Sequence, residues 1–514
     1  TGLLAAGLLA VNVMHIQLSH FFAFDPYMTF FVVTAVYFMV LAYQSAILLR
    51  SGGFGRNGFH SPAKASTRMV HVYLILAAIC VGLAVGSKFA AVLLALPLAL
   101  TVWLTVERRW MWLGTAVLIA AFTFFVTNPF AVLDLTCEVI SPAMQIGPLS
   151  IPALDWRSCF LDNILTQGAM VRGDTDLPFT RQYIGTTPFL YFIEMQIKWG
   201  MGPLLGVAAF IGFGWAIRQT IMRLEIRDWR TIVQRLQSLA SSLQSPITIL
   251  ILLTWCIPYF LFTGSFYVKF MRYMQPLMPF LMLFAAALIV QLPWRKWRWV
   301  AGTAVFLTTA LYAFAFVNMY RQPHPWVTAS EWVYANVPSG TLILSEQWDD
   351  PLPISLMVDG RWRQRAEYDN AELTWLTRAD TRDTNESLVD NLTLLAKADY
   401  LAIMSDRVYG VVPGLPDKFP LSSQYHHLLF NGDLGYEPVF ITGRQPELFG
   451  VSLYADTFDE VQPPARAAAF LDARPHLTMG RADESFTVYD HPLTIVFKNT
   501  GKMTAVEMHE LFVP

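Results

Sequence analysis

The chain opens with a series of apolar runs, each close to the roughly 20 residues that a helix needs to cross a bilayer. Polar or basic connections separate these runs. The pattern predicts a polytopic α-helical membrane domain over residues 1–320 with about nine spans. The predicted spans are 2–18, 27–49, 69–85, 89–106, 110–126, 202–217, 247–262, 271–292 and 300–319.

Beyond residue 320 the pattern changes to short apolar segments that alternate with amphipathic ones. Thr328 and Glu331 have capping-box spacing ahead of a helix at 332–337. This alternation predicts a smaller α/β domain with parallel pairing over residues 321–514. Its other predicted elements are strands at 341–344 and 400–404, a helix at 386–396, and late strands near an edge at 486–489 and 493–497.

Composition and charge divide the chain in the same way. Only 14% of the residues are charged, against about 25% in a soluble protein. Residues 1–320 carry a net charge of +10, whereas residues 321–514 carry −12. An acidic tail behind an apolar domain excludes nucleic-acid binding, which needs a basic face, and excludes a purely cytosolic enzyme.

The basic residues indicate the orientation of the spans. Four connections, 50–68, 107–109, 218–245 and 295–298, hold 14 of the 21 Lys and Arg residues of the membrane domain. They all lie on one side if nine spans alternate, and the positive-inside rule makes that side cytoplasmic. The outer loop at 128–200 and the domain at 321–514 are then extracytoplasmic.

The N-terminus and the cysteines bear on processing and compartment. Thr1 begins inside an apolar run without a Met or a basic region before it, so we expect a chain that lacks its true start.

Cys80 and Cys256 fall inside predicted spans. Cys137 and Cys159 share the outer loop, where an oxidising compartment permits a disulfide; two free thiols are the alternative.

Charges at the outer membrane face are the first candidates for chemistry, because a charge at membrane depth is costly. Asp25, followed by Pro26, opens a span a few residues after His15 and His20. A plain helix N-cap explains this carboxylate equally well. As a functional group, Asp25 with His20 is a candidate for holding a divalent cation, Mg or Mn, or an acceptor hydroxyl.

Cations on the same face are candidates for binding a phosphate. Lys88 occupies a tight turn between two spans, and Lys269, Arg272 and Tyr273 lie at the top of another. An ammonium is a point charge for a phosphate, and a guanidinium offers a planar fork. Snorkelling and interfacial anchoring are the structural alternatives.

Two further polar groups are candidates for contact with an acceptor. The outer loop is dense in polar side chains, and a substrate-covering loop competes here with an ordinary solvated one. Glu346, Asp349 and Asp350 follow a predicted strand, where α/β domains place their sites, although an acidic turn in solvent is the simpler interpretation. The loop candidates are Gln167, Arg172, Asp174, Asp176, Arg181, Gln182 and Tyr183.

The order of several short motifs along residues 1–320 resembles glycosyltransferase family 39, which includes protein O-mannosyltransferases and the aminoarabinose transferases of lipid A. The tail looks like the outer domain of bacterial members of this group. In the membrane domain the resemblance is carried by Leu18-Ser-His20 to Asp25, Gly86-Ser-Lys88 before Leu94-Ala-Leu-Pro97, Thr127-Asn-Pro129, the loop from Gln167 to Trp199, and Arg272-Tyr273 with Pro276 and Pro279. In the tail it is carried by Trp348-Asp-Asp, Ala398-Asp-Tyr400 and Phe486-Thr-Val-Tyr-Asp-His-Pro492.

The resemblance implies a GT-C membrane fold in a bacterial plasma membrane. It also implies an inverting transferase that moves a sugar from a polyprenyl-phosphate donor to a protein, lipid or glycan acceptor outside the membrane. The family's main base lies in an acidic first outer loop, which is expected upstream of Thr1. Asp25 matches the second acidic position, and Lys88 and Arg272 match the phosphate-side cations.

Two other classes remain open from the residues alone. A non-catalytic subunit of a larger membrane complex would also lack a main base. A transporter would also carry polar residues at membrane depth, but it usually shows paired broken helices and mid-membrane charges. We expect the tail to rest on the outer loop mainly through apolar and uncharged polar contacts, and to cover or select the acceptor.

Overall fold

The computed structural model describes residues 1–21, 23–50, 67–141, 143–146, 149–224, 246–346, 351–374, 383–458 and 460–512. These residues form two compact units. The first comprises Thr1–Arg172 and Thr187–Thr309, and the second comprises Gly173–Thr186 and Ala310–Pro514. The predicted division at residue 320 therefore lies close to the observed one, but a short piece of the outer loop folds with the tail.

The first unit is helical, with small strands only in the outer loop. Its helices are α1 (Gly2–Ala10), α2 (Val13–His20), α3 (Phe24–Arg50), α4 (Thr67–Ser87), α5 (Ala95–Thr105), α6 (Arg109–Thr127), α7 (Phe130–Leu133), α8 (Cys159–Arg172), α9 (Leu190–Met195), α10 (Pro203–Leu224), α11 (Pro246–Gly264), α12 (Met278–Val290) and α13 (Arg295–Asn318), whose last turns belong to the second unit. Its strands are β1 (Glu138–Ser141), β2 (Met144–Ile146), β3 (Leu149–Ile151) and β4 (Leu154–Arg157).

Seven helices of the described residues are long and apolar enough to cross a membrane, or eight if α1 and α2 form one span bent by 55°. The bend falls where Asn12 caps α2 by accepting a hydrogen bond from the His15 amide. The expected count of about nine spans stays a prediction, because this criterion covers the described residues and omits shorter apolar helices. The remaining candidate, Phe89–Thr105, is 3₁₀-helical over Phe89–Leu94 before α5 begins.

The segment Phe89–Thr105 nevertheless lies beside α3 and contacts it near both ends. At its start Lys88 pairs with Asp25 in the first turn of α3, and near its end Leu104 accepts a hydrogen bond from Arg50, the last residue of α3. A 3₁₀-helix rises about 2.0 Å per residue and an α-helix about 1.5 Å, so the segment is roughly 28 Å long. That length is close to the thickness of the hydrocarbon core, about 30 Å.

Small residues bring the long helices together. A Cβ at Gly82 of α4 would lie 2.5 Å from the Ala120 carbonyl oxygen of α6, and a Cβ at Gly212 of α10 would lie 2.5 Å from the Phe284 carbonyl oxygen of α12. Glycine is the residue that permits such close backbone approach, which is how helices associate in lipid. The spans therefore pack as a bundle rather than as isolated helices.

The second unit is a mixed α/β domain. Its elements are α14 (Pro325–Asn336), β5 (Leu342–Glu346), β6 (Leu356–Val358), β7 (Arg361–Arg363), β8 (Asp369–Leu373), α15 (Asn385–Lys397), β9 (Tyr400–Ile403), α16 (Pro420–Asn431), β10 (Tyr436–Thr442), β11 (Glu447–Leu448), β12 (Val451–Tyr454), α17 (Ala465–Asp472), β13 (His476–Thr478), α18 (Glu484–Thr487), β14 (Thr494–Asn499) and α19 (Ala505–Glu510).

A five-stranded sheet in the order β10-β14-β9-β5-β8 forms the centre of this domain. Strand β5 is parallel to β8 and β9, which confirms the predicted parallel pairing, whereas β14 runs antiparallel to β9 and β10. Alternate strand residues face opposite sides. Leu344 and Leu401 belong to the core with α15 and α16, and Ile343 and Ala402 to the core with α14.

Two local predictions in the tail are wrong. Helix α14 begins at Pro325, with the His324 ring accepting from the Trp326 amide, because proline favours the first helical position; Thr328 lies inside the helix. Residues 486–489 are not a strand. Asp483 caps the short helix α18 by accepting from the Ser485 amide, and this cap outweighs the apolar run. The predicted strand at 493–497 is β14, second from the sheet edge.

Candidate active site at one end of the helical bundle

An ion pair between Asp25 and Lys88 is the centre of the candidate site. The Lys88 Nζ lies 2.7 Å from Asp25 Oδ1, and the two side chains are 28% and 6% exposed. Helix α3 begins at Phe24, so Asp25 lies in the first turn rather than at the N-cap, where its charge still meets the positive end of the helix. Lys88 is the extended residue that caps the 3₁₀-helix after α4.

The turn at the start of the next-to-last span covers this pair. The Lys88 Nζ lies 4.4 Å from the centre of the Tyr273 ring, a cation–π distance. The Tyr259 hydroxyl of α11 donates to the Tyr273 carbonyl at 3.0 Å, which fixes that turn. The structure therefore brings together Asp25, Lys88 and Tyr273, three residues that the sequence singled out.

Arg272 adds a second cation beside Tyr273. Its guanidinium stacks on the Phe270 ring at 4.8 Å, and the side chain is half-buried. Among the described residues it forms no ion pair. A guanidinium that is positioned by an aromatic ring and lacks a carboxylate partner suits an anionic ligand.

Lys269 differs from these residues because it is buried and held within its own turn. Its side chain is 1% exposed, and Nζ donates to the Tyr267 carbonyl at 2.9 Å. Burial lowers the pKa of this ammonium. The predicted role of Lys269 in phosphate binding stays a prediction from its position in the motif.

Several buried amides next to the site were missed by the sequence reasoning. Gln275, two residues after Tyr273, contacts the His15 ring, with Nε2 at 2.5 Å from Nδ1. Gln196 donates to the Met271 carbonyl at 3.0 Å. Both glutamines are fully buried, and Gln275 Oε1, Gln196 Oε1 and Asn12 Nδ2 lack hydrogen-bond partners among the described residues.

A π-helical turn at Gln196–Gly200 positions one of these amides. A Cβ at Gly200 would overlap Gln196 Oε1, so the glycine leaves room for the amide in its present position. Turns of this kind are frequent at functional sites. A single uncharged amide inside an apolar run does not change the composition enough to mark a site. In the sequence, the pair Gln275-Pro276 at the start of a span was the feature that could have indicated one.

The predicted cation site at Asp25 and His20 stays a prediction, and both side chains have other partners in the structure. The Asp25 carboxylate already has an ammonium at 2.7 Å, and His20, which is exposed, donates from Nδ1 to the Ile16 carbonyl at 2.8 Å. In the part of the chain that the structure describes, no group of three or more His, Cys, Asp or Glu side chains is arranged to hold an ion. A second cation beside Lys88 would also be repelled.

The outer loop is divided between the two units. Cys137 and Cys159 form a disulfide, as the sequence allowed, and Gln167 is exposed on α8. Arg181 and Gln182 are instead buried in the second unit. Neither residue therefore lies on an ordinary solvated loop, which was the alternative to a substrate-covering loop.

Charged contacts hold the loop piece 173–186 against the tail domain. Asp176 pairs with Arg181 at 3.0 Å and with Lys418 at 2.9 Å. Burial raises the pKa of Asp176, but the two ion pairs outweigh it, so the net shift is downward. Gln182 accepts from the Glu484 amide at 3.0 Å. Within the second unit the tail therefore packs on residues 173–186 of the outer loop, and ion pairs stand beside the uncharged contacts that were expected.

Glu346 ends the central strand β5, as predicted, and is buried. Its carboxylate lies 3.2 Å from His426 Nε2 of α16, whose Nδ1 contacts the Ser422 carbonyl at 2.7 Å. Asp349 and Asp350 lie outside the described residues, as does Trp348. The predicted acidic group is therefore described only through Glu346.

Comparison with known proteins shows similarity to one family over part of the chain. No curated protein shows significant similarity to the chain. The apo crystal structure of the Archaeoglobus fulgidus oligosaccharyltransferase matches with 13% identity and a TM-score of 0.32, over 82% of this chain and 56% of that one, so the chain spans about half its length. Residues 1–140, which include Asp25 and Lys88, match the family described as dolichyl-phosphate-mannose-protein mannosyltransferase, and the predicted resemblance is confirmed over this region.

Proposed function

We propose that the protein is a membrane glycosyltransferase that moves a sugar from a polyprenyl-phosphate donor to an acceptor on the extracytoplasmic side. The observation that carries this proposal is the Lys88–Asp25 ion pair under Tyr273, with Arg272 beside it. The mannosyltransferase family match covers both members of the pair and supports the same activity.

The chemistry requires positive charge where the donor phosphate departs. When the bond from the sugar to the phosphate oxygen breaks, negative charge grows on the leaving phosphate, and fixed cations stabilise that charge. We assign Lys88 and Arg272 to this role. Asp25 holds the Lys88 ammonium in place. Tyr273 supplies an aromatic face that excludes water from one side of the ammonium.

The distribution of charge and the disulfide support the extracytoplasmic side for this site. The site is formed by the start of α3, the end of α4 and the start of the span at Met271, which are the ends opposite to the basic connections. The positive-inside rule makes those connections cytoplasmic. A Cys137–Cys159 disulfide in the loop on the site's side is in keeping with an oxidising compartment.

The buried amides next to the site support binding of a hydroxyl-rich group there. Unpaired amide atoms in a buried position cost about 1–3 kcal/mol each, so their presence is better explained by a ligand than by stability. Gln275, Gln196 and Asn12 each present one such atom among the described residues.

Transfer from a radiolabelled polyprenyl-phosphate hexose by the purified protein in lipid nanodiscs tests the proposal. Replacing Lys88 or Arg272 with Ala removes a charge-assisted contact worth roughly 1.5–3 kcal/mol, so kcat/KM for the donor is expected to fall by about 10- to 100-fold. Lys296→Ala is the matched control, because Lys296 is an exposed lysine at the basic end of the bundle. Full donor use by both site variants would overturn the proposal.

A further inference from the structure

The second unit contains an open cleft that the transfer reaction does not use. It lies between helix α17 and the parallel pair β12–β13, and its volume is about 330 Å³. Polar side chains that line it are Tyr454, Asp456, Gln462, Asp472, His476 and Thr478. This volume falls at the lower end of the range for small-molecule sites, about 300–1,000 Å³.

The strand register explains how the cleft is built. Tyr454 pairs with Thr478 and Ser452 pairs with His476, so the side chains of Tyr454, His476 and Thr478 project from one face of the ladder. The Tyr454 and His476 rings are 5.7 Å apart and inclined at 67°, so they form two walls that meet at an angle. Phe458 and Val461, each 3% exposed, give the cleft an apolar base.

Two carboxylates line the cleft. Asp456 is held by the Phe458 amide, which donates to Oδ1 at 3.2 Å. Asp472, at the end of α17, is exposed and makes no hydrogen bond or ion pair with the described residues. The residues that line the cleft include neither Lys nor Arg. An anionic ligand is therefore disfavoured.

We propose that this cleft is a binding site for a neutral saccharide of one or two rings. An ionised carboxylate only accepts hydrogen bonds, and sugar hydroxyls donate them; the Gln462 amide, the Thr478 hydroxyl and the His476 ring supply donors in return. The Tyr454 ring offers an apolar face for a pyranose. A volume of about 330 Å³ fits a sugar of one or two rings better than an extended basic peptide, which the carboxylates alone would also attract.

The inference is independent of the transfer reaction, because the cleft and the Lys88–Asp25 pair belong to different units. The protein in nanodiscs is titrated with methyl α-hexosides and with the corresponding disaccharides. Saturation-transfer NMR and calorimetry measure the binding of each sugar. We expect the neutral sugars to bind and glucuronate not to bind. Asp472→Asn and Tyr454→Ala should each weaken binding by about tenfold or more, since a charge-assisted hydrogen bond or a stacked face is lost.

Controls separate this site from the transfer site and from misfolding. Asp390→Asn changes an exposed carboxylate on α15 and should leave binding unchanged. Lys88→Ala should also leave saccharide binding unchanged even where it abolishes transfer. Asp472→Asn changes an exposed side chain, so its thermal midpoint should match that of the wild type. Absence of saccharide binding, wild-type affinity in both cleft variants, or binding of a lysine-rich peptide in place of sugars would overturn the proposal.

Discussion

The Lys88 ammonium and the Asp25 carboxylate lie 2.7 Å apart although 63 positions separate them in the chain. Each lies at the end of a different apolar element, and each alone has an ordinary structural explanation, snorkelling for the lysine and helix capping for the aspartate. In the structure they form one partly buried ion pair beside the Tyr273 ring, and this pair accounts for both residues together.

This pair should behave as a unit in a double-mutant cycle. Asp25→Asn and Lys88→Met are each expected to lower kcat/KM for the donor. The loss of transition-state stabilisation in the double variant should be smaller than the sum of the losses in the two single variants. A coupling free energy of about 0.5–3 kcal/mol is typical of residues in one ion pair. Steady-state transfer assays on the four proteins give the coupling. Strict additivity would contradict a shared role for the two side chains.

Gln275 should matter more for transfer than for stability. Its Oε1 is buried without a partner among the described residues, so Gln275→Leu removes an unsatisfied atom but also the contact with the His15 ring. The two effects oppose each other, and we expect the thermal midpoint to change little while transfer falls at least tenfold. Thermal unfolding and transfer are measured on the same preparations. A large loss of stability with unchanged activity would make Gln275 a purely structural residue.

The sequence predicted the charged part of the site because a charge in an apolar run is costly and therefore conspicuous. It did not predict the amide part, because Gln196 and Gln275 carry no charge and their contacts join distant segments. In the tail, strands β5 and β9 were found from their apolar runs. Helix α18 was mistaken for a strand, since a short apolar run fits either element and the Asp483 cap decides between them.

The disulfide gives a test of sidedness. In intact cells, Cys137→Ser should free the Cys159 thiol for a membrane-impermeant maleimide, whereas Cys80 and Cys256, which are buried, should not react. A bridge across 22 positions contributes roughly 3 kcal/mol to stability by the loop-entropy model, so the variant should also unfold at lower temperature. Labelling that requires permeabilised cells would place the outer loop on the cytoplasmic side.

Glu484 should make the second unit more stable at pH 5 than at pH 8. Burial, together with the Asp406 and Asp483 carboxylates, raises the pKa of Glu484 to about 8 against the opposing effect of Arg407. The folded protein then retains a proton that the unfolded chain releases above its ordinary pKa of 4.5. Stability from this group is therefore present below about pH 4.5 and is lost as the pH rises through 8, by at most about 1.4 kcal/mol per pH unit.

Thermal unfolding between pH 5 and 8 checks this dependence. Glu484→Gln removes the titrating group, so the variant should lose less stability across that range than the wild type. Glu386→Gln, at an exposed position in the first turn of α15, is the matched control and should follow the wild type. Equal pH dependence in all three proteins would show that Glu484 is ionised throughout this range.

Transfer activity should survive removal of divalent metal. The Asp25 carboxylate, the candidate ligand, is paired with an ammonium, and a dication entering beside Lys88 would meet a like charge within a few ångströms. The donor phosphate already has two candidate cations, Lys88 and Arg272, so its negative charge can be compensated without a metal ion. We therefore expect full transfer after dialysis against EDTA, measured with the radiolabelled donor. Loss of activity that Mg²⁺ or Mn²⁺ restores would instead favour the original interpretation of Asp25 and His20 as cation ligands, and would require Lys88 to leave the carboxylate when the metal binds.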